Sequence, residues 1–323
     1  MGYTNRESPK STDKLHGNKR GAELIDPKLP APNFFIVGAA KAGTTSLHAY
    51  LSSHPQVFMS TLKEPHYFAD FDVSAELDNF LPVIRCRSDY HELFKNSDGF
   101  IAVGEASPSY LCDPGAAERI KSAIPTAKII VSLRNPIERA FSHYLMDFYR
   151  GSEKLPFEEA LELDLARREK GWGKSAQYTE LGLYANQVRP FLREFGRDKV
   201  LIILFEDLVR DTRGTMQEIA RFLGIDPFAY PESAFAQVHN PFEVSRGRVA
   251  RAILRMRRIR VWAKKWIPQK VRTTVRNRLL FATRPKPQLS PDTRRLLADR
   301  FEKDLQLLEQ LLERDLSALR RVD

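Results

Sequence analysis

Short apolar runs alternate with amphipathic segments along most of the chain. The first run ends in glycine and precedes TTSLHAYLSSHP, where Leu47, Tyr50 and Leu51 recur at helical spacing. The runs that predict strands are 33–39, 57–60, 100–106, 128–133 and 200–208. Strands that alternate with helices predict an α/β fold with a central parallel sheet covered by helices on both faces.

The same pattern divides the chain into a leader and one domain. Residues 1–30 are polar and charged, have no apolar core of a signal peptide, and are expected to form a disordered N-terminal leader. Residues 31–323 are expected to form a single domain that ends in an amphipathic closing helix over 290–320, capped by Ser290. The polar helical stretch 151–180 interrupts the α/β rhythm and is expected to line a cleft.

Composition narrows the class of protein. The chain has 323 residues, of which 42% are hydrophobic and 28% are charged, enough for a sizeable core. Its 2 cysteines cannot build a disulfide framework or a four-ligand zinc site, so we expect a cytoplasmic protein without a metal. No window approaches the roughly 18 apolar residues of a membrane span.

The net charge of +10 is concentrated in one segment. Residues 246–286 hold 15 of the 51 Lys and Arg residues and no acidic residue. This basic segment has three readings: a solvated helix, a surface for a polyanionic glycan, and an interfacial helix on anionic lipid at the inner membrane surface. Nucleic acid would suit the charge, but no recognition motif accompanies it, and none is expected as a partner.

The loop after the first strand, GAAKAGTTS, departs from a Walker A motif. Gly38 and Gly43 have the Walker spacing, but Thr44 follows the second glycine and the lysine lies inside the loop, at Lys41. Backbone N–H groups of such a loop, with a helix N-terminus, bind an anion of any kind. The position of the lysine argues against an ATP γ-phosphate, although a P-loop-type kinase stays open as an alternative.

Two motifs resemble those of sulfotransferases that use 3′-phosphoadenosine 5′-phosphosulfate (PAPS), and the resemblance implies a P-loop-like three-layer fold. KAGTTSL is similar to the family's 5′-phosphosulfate loop, and IIVSLRNPIERAFSHY is similar to its 3′-phosphate signature. NPFEVSRGRVARAI resembles the family's late loop over the 3′-phosphate and adenine. The resemblance implies cofactor contacts from Lys41, Ala42, Gly43, Thr44, Thr45, Ser46, Arg134, Ser142, Arg246, Gly247 and Arg248.

A third block, KEPHYFAD, resembles one found in heparan sulfate 3-O-sulfotransferases and many bacterial sulfotransferases. There the glutamate acts as the general base, which implies Glu64 as the base here, with His66 facing the same pocket. Glu105, in GEASPSYL, is an alternative base. A carboxylate suits this role because an attacking hydroxyl must lose its proton.

Together these motifs predict an enzyme that moves the sulfuryl group from PAPS to a hydroxyl, or an amine, of a carbohydrate or glycosylated small molecule. Lys41 would stabilise charge on the leaving oxygen, a task that needs no metal. One rival function is a P-loop-type kinase. The other is a non-catalytic protein of the same fold that binds membranes or polyanions, with peripheral membrane contact through 246–286.

Overall fold

A five-stranded parallel sheet forms the centre of the molecule. The computed structural model describes residue 25 and residues 29–70, 83–169, 176–235, 243–245, 281–283 and 287–320. Within them the strands of this sheet are β1 (Phe34–Gly38), β2 (Val57–Met59), β3 (Ala102–Ala106), β4 (Lys128–Leu133) and β5 (Val200–Leu204). They lie in the order β2-β3-β1-β4-β5, and every neighbouring pair is parallel. The α/β fold predicted from the sequence is confirmed.

Helices follow the strands and cover both faces of the sheet. Among the described residues, the α-helices are α1 (Thr44–Ser52), α2 (Arg87–Glu92), α3 (Ala116–Ala123), α4 (Pro136–Arg150), α5 (Phe157–Glu162), α6 (Asp164–Glu169), α7 (Ala185–Phe195), α8 (Phe205–Arg210), α9 (Thr212–Leu223) and α10 (Pro291–Leu312). Single 3₁₀ turns occupy Glu180–Gly182, Arg197–Lys199, Glu232–Phe235 and Ser317–Arg320. A separate antiparallel pair joins β6 (Glu243–Ser245) to β7 (Phe281–Thr283).

The strands are apolar on both faces because each face meets a core. Alternate residues of β1 illustrate this: Phe35 and Val37 enter a core shared with α3, α4, α7 and α10, whereas Phe34 and Ile36 enter a core shared with α1 and α9. Successive side chains of a strand point to opposite faces, so a strand covered on both sides reads as a continuous apolar run. That is the pattern of FFIVG and KIIVSL.

The strand order places a crevice beside β1. The connection after β1 leads to β2, on the β3 side, whereas the connection after the neighbouring strand β4 leads to β5, on the other side, so the two connections leave in opposite directions. In parallel sheets, ligands bind outside the carboxyl ends of the strands at such a switch point. The loop after β1, the segment after β2 and the residues that follow β3 and β4 all meet at this edge.

Two predicted elements differ from the observed ones. The strand expected over 200–208 ends at Leu204, and Phe205–Arg210 is helical. The early end puts the Phe205 ring beneath the loop after β1 and lets Glu206 accept a hydrogen bond from the backbone N–H of Asn135 at 2.9 Å. The closing helix begins as predicted, with Ser290 as its cap, but ends at Leu312 because Glu313 has a left-handed backbone conformation, φ 52°.

Some predictions lie outside the described residues. These are most of the leader 1–30, nearly all of the basic segment 246–286, and the proposed cofactor residues Arg246, Gly247 and Arg248. Ile25 and Pro30, near the end of the expected leader, are described: Ile25 packs into the larger core, and the Pro30 carbonyl accepts a bond from His91. No helix in the described ranges is both long and apolar enough to cross a membrane.

Candidate active site

The loop between β1 and α1 is held against the sheet by β4. The Ala39 N–H donates to the Ser132 carbonyl at 2.7 Å, and the Ser132 hydroxyl donates to the Ala42 carbonyl at 2.6 Å. Gly43 has φ 83°, and a Cβ there would lie 2.7 Å from the Phe205 ring, so only glycine fits. These contacts fix the N-terminus of α1, with Thr44, at the carboxyl edge of the sheet, and the N–H groups of a helix N-terminus favour an anion.

Lys41 occupies a strained position in this loop. Its backbone is left-handed, φ 70°, and its half-buried ammonium meets the Met146 sulfur of α4 at 3.6 Å. Burial, followed by repulsion from Arg150 and Arg134, lowers the pKa of Lys41 from 10.5 to about 8. A thioether is a weak acceptor, so this cation lies next to other cations with no strong partner among the described side chains. Such an arrangement favours binding of an anion.

Arg134, directly after β4, is the second fixed cation. Its guanidinium donates to the Lys41 carbonyl at 3.1 Å and lies 4.6 Å from the centre of the Phe205 ring. The Tyr184 hydroxyl donates to the Arg134 carbonyl at 2.8 Å, which fixes the backbone as well. Burial lowers the pKa of Arg134 below its usual range. Arg134, predicted from the sequence as a 3′-phosphate contact, therefore also contacts the backbone of the Lys41 loop.

Ser142 lies on the half-exposed face of α4, with residues at four-residue spacing. Glu138, Ser142 and Met146 are half-buried and Arg150 is exposed, whereas the opposite face is buried. Met146 contacts Lys41, and the charge of Arg150 affects the pKa of both Lys41 and Glu64. Ser142 is one turn from Met146 on this face. Met146 and Arg150 were not predicted from the sequence, although their spacing of four and eight residues from Ser142 indicates that they share its helix face.

Glu64 belongs to a segment that we call the acceptor segment, residues 63–68, which follows β2 in the chain and contacts the end of β3. Its N–H donates to the Ala106 carbonyl at 3.1 Å, and its carboxylate pairs with Lys63 and lies 3.9 Å from Nε2 of His66. Burial alone would raise the pKa of Glu64, but Lys63, His66 and Arg150 together hold it below its usual range. The Glu64 carboxylate in turn raises the pKa of Lys41. The proposed base and the proposed catalytic lysine therefore share one electrostatic environment.

His66 is buried beside Glu64 rather than open to the crevice. Its Nδ1 lies 2.7 Å from the Ser109 hydroxyl, and its N–H donates to the Ser107 hydroxyl at 3.1 Å. Glu105, the alternative base, is fully buried beneath the segment, and both of its carboxylate oxygens accept hydroxyl hydrogen bonds. Of the three residues, Glu64 is the most accessible to a ligand.

His48 of α1 is a neighbour that the sequence analysis did not single out. Burial, then the charge of Lys63, lowers the pKa of His48 from 6.5 to about 4, so the ring is neutral at physiological pH. Its Nε2 atom is buried and has no hydrogen-bond partner among the described residues. A histidine at helical spacing after a glycine loop gives no sequence signal of its own, since only the fold brings α1 beside Lys63.

The arrangement suits an anionic ligand that reaches from the N-terminus of α1 to the Arg134 end of α4. The charges of Arg134, Arg150 and Glu64 all affect the pKa of Lys41, so three cations and one carboxylate lie close together. Within the described residues, no group of three or more His, Cys, Asp and Glu side chains has the placement of a metal site. The chemistry supported by the described side chains is charge stabilisation by the lysine and proton removal by the glutamate.

Comparisons with known proteins agree with this geometry. Residues 31–240 match the family model described as the sulfotransferase domain. Human carbohydrate sulfotransferase 15 is 28% identical over 63% of this chain and 45% of its own length. Human heparan sulfate glucosamine 3-O-sulfotransferase 6 is 32% identical over 60% of this chain and 52% of its own length. The chain thus spans about half the length of these curated relatives.

A solved structure covers more of the chain. The crystal structure of a sulfotransferase from Alicyclobacillus acidocaldarius is 34% identical, has a TM-score of 0.70, and covers 90% of this chain and 99% of that one. The family model alone matches more than half of the chain and includes β1–β5, the loop after β1 and the acceptor segment. The protein therefore belongs to the sulfotransferase domain family.

Proposed function

We propose that the protein transfers the sulfuryl group of PAPS to a hydroxyl, or an amine, of a carbohydrate or glycosylated small molecule. The observation that carries the proposal is that Lys41, in the loop after β1, and Glu64, in the segment after β2, lie close enough for the Glu64 charge to affect the pKa of the lysine. A transfer between two oxygens needs both groups: a cation to stabilise the departing oxygen and a base to take the proton of the incoming hydroxyl.

The donor side of the crevice has two anion-binding regions. The loop N–H groups and the α1 N-terminus, with Thr44, Thr45 and Ser46, would hold the 5′-phosphosulfate. Arg134 and Ser142, on the β4 side, would hold the 3′-phosphate. The clustered cations and the lysine without a strong acceptor fit such a donor, because each added phosphate relieves their repulsion.

Lys41 would act on the leaving group. When PAPS is bound, it supplies an SO₃ group whose bridging oxygen leaves with the 5′-phosphate. The Lys41 ammonium, fixed by its loop and by Met146, would donate to the oxygen on which charge develops. Its depressed pKa rises again when phosphate charge is nearby, so the ammonium would be fully protonated during transfer.

Glu64 would accept the proton of the acceptor hydroxyl. The carboxylate is ionised before the acceptor arrives, since Lys63, His66 and Arg150 together lower its pKa. An acceptor that enters would displace water from the carboxylate, and this loss of solvation raises its pKa and makes it a stronger base as the hydroxyl approaches. The carbohydrate class of acceptor is supported by the relatives, two of which are named for a carbohydrate or heparan sulfate acceptor.

The test of the proposal begins with ligand binding. We expect 3′,5′-ADP, the desulfated form of the donor, to raise the melting temperature without added metal, and 5′-AMP to raise it much less. Stabilisation should follow RT ln(1 + [L]/Kd), about 2.7 kcal/mol at 100 times Kd. Equal shifts with both nucleotides would contradict the 3′-phosphate region, and Arg134→Ala should remove the difference between them.

Transfer itself is measured with ³⁵S-labelled PAPS and a panel of glycans, glycosides, phenols and amines. Labelled product from a glycan or glycoside would establish the reaction and the acceptor class together. Turnover of ATP that requires Mg²⁺, without any response to 3′,5′-ADP, would instead establish the kinase alternative. Tight binding to anionic liposomes with no nucleotide binding would favour the non-catalytic alternative.

A further inference from the structure

Glu105 of β3 lies at the centre of a buried hydroxyl cluster directly beneath the acceptor segment. The Ser107 hydroxyl donates to one carboxylate oxygen at 2.6 Å, and the Tyr90 hydroxyl of α2 donates to the other at 2.5 Å. The Tyr110 hydroxyl forms a further hydrogen bond with the carboxyl group. Glu105, Tyr90, Ser107 and Tyr110 are all fully buried. A carboxylate with this many donors and no accessible surface is not placed to take a proton from an acceptor.

Each of these hydroxyl residues also holds a different residue of the acceptor segment. The Ser107 oxygen accepts the N–H of His66 at 3.1 Å, and the Tyr110 oxygen accepts the N–H of Phe68 at 3.2 Å. The Tyr90 ring stacks on Tyr67 with centroids 4.1 Å apart and an angle of 13°. Three consecutive residues of the segment are thus attached to groups that bond to one carboxylate.

The segment needs this support because its backbone is strained. Glu64 and His66, on either side of Pro65, have φ values of 61° and 55°. Left-handed conformations are unfavourable for residues with a Cβ and persist only where the surroundings hold them. The segment has no helix or strand of its own in the structure, so its conformation depends on contacts from β3 and the residues that follow it.

We propose that Glu105 is a positioning residue: its ionised carboxylate orients the Ser107 and Tyr110 hydroxyls so that their lone pairs accept the His66 and Phe68 N–H groups, and it holds the Tyr90 ring against Tyr67. These contacts keep the acceptor segment, and with it Glu64, in the reactive conformation. An ionised carboxylate only accepts hydrogen bonds, so every hydroxyl hydrogen points toward it and the lone pairs stay available for the His66 and Phe68 N–H groups. A protonated acid or an amide must also donate, which turns one hydroxyl away from the segment. The role of Glu64 as base rests on the proposed function, whereas the support of the segment does not.

The arrangement links the segment to pH. Burial raises the pKa of Glu105 to about 7, against the opposing effect of hydrogen bonds from Ser107, Tyr90 and Tyr110. None of these three groups carries a formal charge at neutral pH. Because those hydrogen bonds lower the pKa, losing them while the carboxyl group stays buried would raise it further, so the hydrogen-bonded network is strongest above about pH 7 and weakens as the pH falls through that value. We therefore expect the acceptor segment to loosen on mild acidification.

Hydrogen–deuterium exchange of the acceptor segment tests the proposal without any substrate. In the wild-type protein, after correction for intrinsic rates, protection of the peptide that contains 64–68 should fall between pH 8 and pH 6. In Glu105→Gln it should be about tenfold lower at pH 8, the effect of about one lost hydrogen bond, and should no longer change between these pH values. Protection equal to wild type at both pH values would overturn the proposal.

Kinetics separates positioning from a purely structural role. For Glu105→Gln we expect kcat to fall about tenfold or more, while the melting-temperature shift with 3′,5′-ADP stays unchanged. The decrease of kcat/KM below about pH 7, expected for the wild-type protein, should be absent in this variant. Ser107→Ala should give a smaller loss in the same direction, and Ser107→Thr, which keeps the hydroxyl, should restore it. These two variants keep the test valid if Glu105→Gln folds poorly.

The control for lost stability alone is Ile219→Val, a buried change in α9 on the opposite face of the sheet. This variant should have a slightly lower melting temperature. Its kcat, its pH profile and the hydrogen exchange of residues 64–68 should be the same as in the wild-type protein. A Glu105→Gln protein that behaves like this control would overturn the positioning role. The protein could show the expected exchange and yet transfer no sulfuryl group. That result would leave the role of Glu105 in holding the segment intact and would refute only the proposed function.

Discussion

The donor loop after β1 and the acceptor segment meet in one crevice but are held in different ways. The donor loop, residues 38–46, is continuous with a strand and a helix, and its anion-binding groups are backbone N–H groups and a helix terminus. The acceptor segment has neither, and buried side chains from β3 and the residues after it fix its shape. The donor loop is therefore shaped by residues next to it in the sequence, whereas the acceptor segment is shaped by residues about 40 positions away.

The two regions also differ in charge. Around the donor loop, cations are close together and burial with mutual repulsion lowers the pKa of Lys41. In the acceptor segment a single carboxylate is stabilised by neighbouring cations, so its pKa lies below the usual range. The donor side thus gains stability when a polyanion binds, whereas the acceptor side is already balanced. Changes in the donor loop should therefore affect both binding and rate, and changes in the acceptor segment mainly rate.

The largest effect is expected for Glu64→Gln. The change keeps the size and polarity of the side chain but removes its basicity, so kcat should fall by roughly 10²–10⁴-fold. Binding of 3′,5′-ADP should stay close to wild type, because the carboxylate lies on the acceptor side. Steady-state kinetics with labelled PAPS and a nucleotide thermal shift measure the two quantities.

The matched control for this variant is Glu118→Gln, an exposed acid of α3, which should leave the rate unchanged. If His66→Asn or Glu105→Gln lowers kcat more than Glu64→Gln does, the base is not Glu64. An unchanged rate in all three variants would mean that the acceptor is a nucleophile that needs no base, such as a phenol or amine.

The second effect is expected for Lys41→Ala. Removing the ammonium that would meet the leaving oxygen should lower kcat by roughly 10²–10³-fold. Affinity for 3′,5′-ADP should fall less than the rate, in contrast to Glu64→Gln, where it should not fall. Lys95→Ala, an exposed lysine paired with Glu92, is the control for loss of a positive charge. Normal turnover of Lys41→Ala at saturating PAPS would refute the role.

The smallest effect is a shift in the alkaline limb of the pH profile. Because Lys41 has a pKa of about 8 in the free protein, kcat/KM should decrease as the pH rises through that value and the ammonium is lost. The corresponding limb of kcat should lie higher, since bound phosphates favour the ammonium. Arg150→Gln removes one repulsive neighbour and should move the kcat/KM limb to higher pH. A limb that stays in place would mean that another group titrates there.

Much of the donor side could be predicted from the sequence because its signals are local. The run FFIVG, the glycine spacing and the helical pattern after Thr44 predict a strand, a loop and a helix in that order, and the structure has all three. Anion binding by the loop stays a prediction. The apolar run KIIVSL likewise predicted a strand directly before Arg134, and in the structure Arg134 contacts the loop. The strand over 200–208 was predicted too long, since an apolar run does not reveal where packing beneath Gly43 requires a helix to begin.

The sequence by itself determined the alternation of elements, the anion-binding loop and the identity of the charged candidates, because periodicity and glycine spacing act over a few residues. The tertiary structure decided which of those candidates meet. Arg150 comes near Lys41 and Glu64 only through the four-residue spacing on α4, and His48 comes near Lys63 only through the packing of α1. Glu105 lies beneath Glu64 because parallel strands align their carboxyl ends, and its burial, which raises its pKa, exists only in the folded protein.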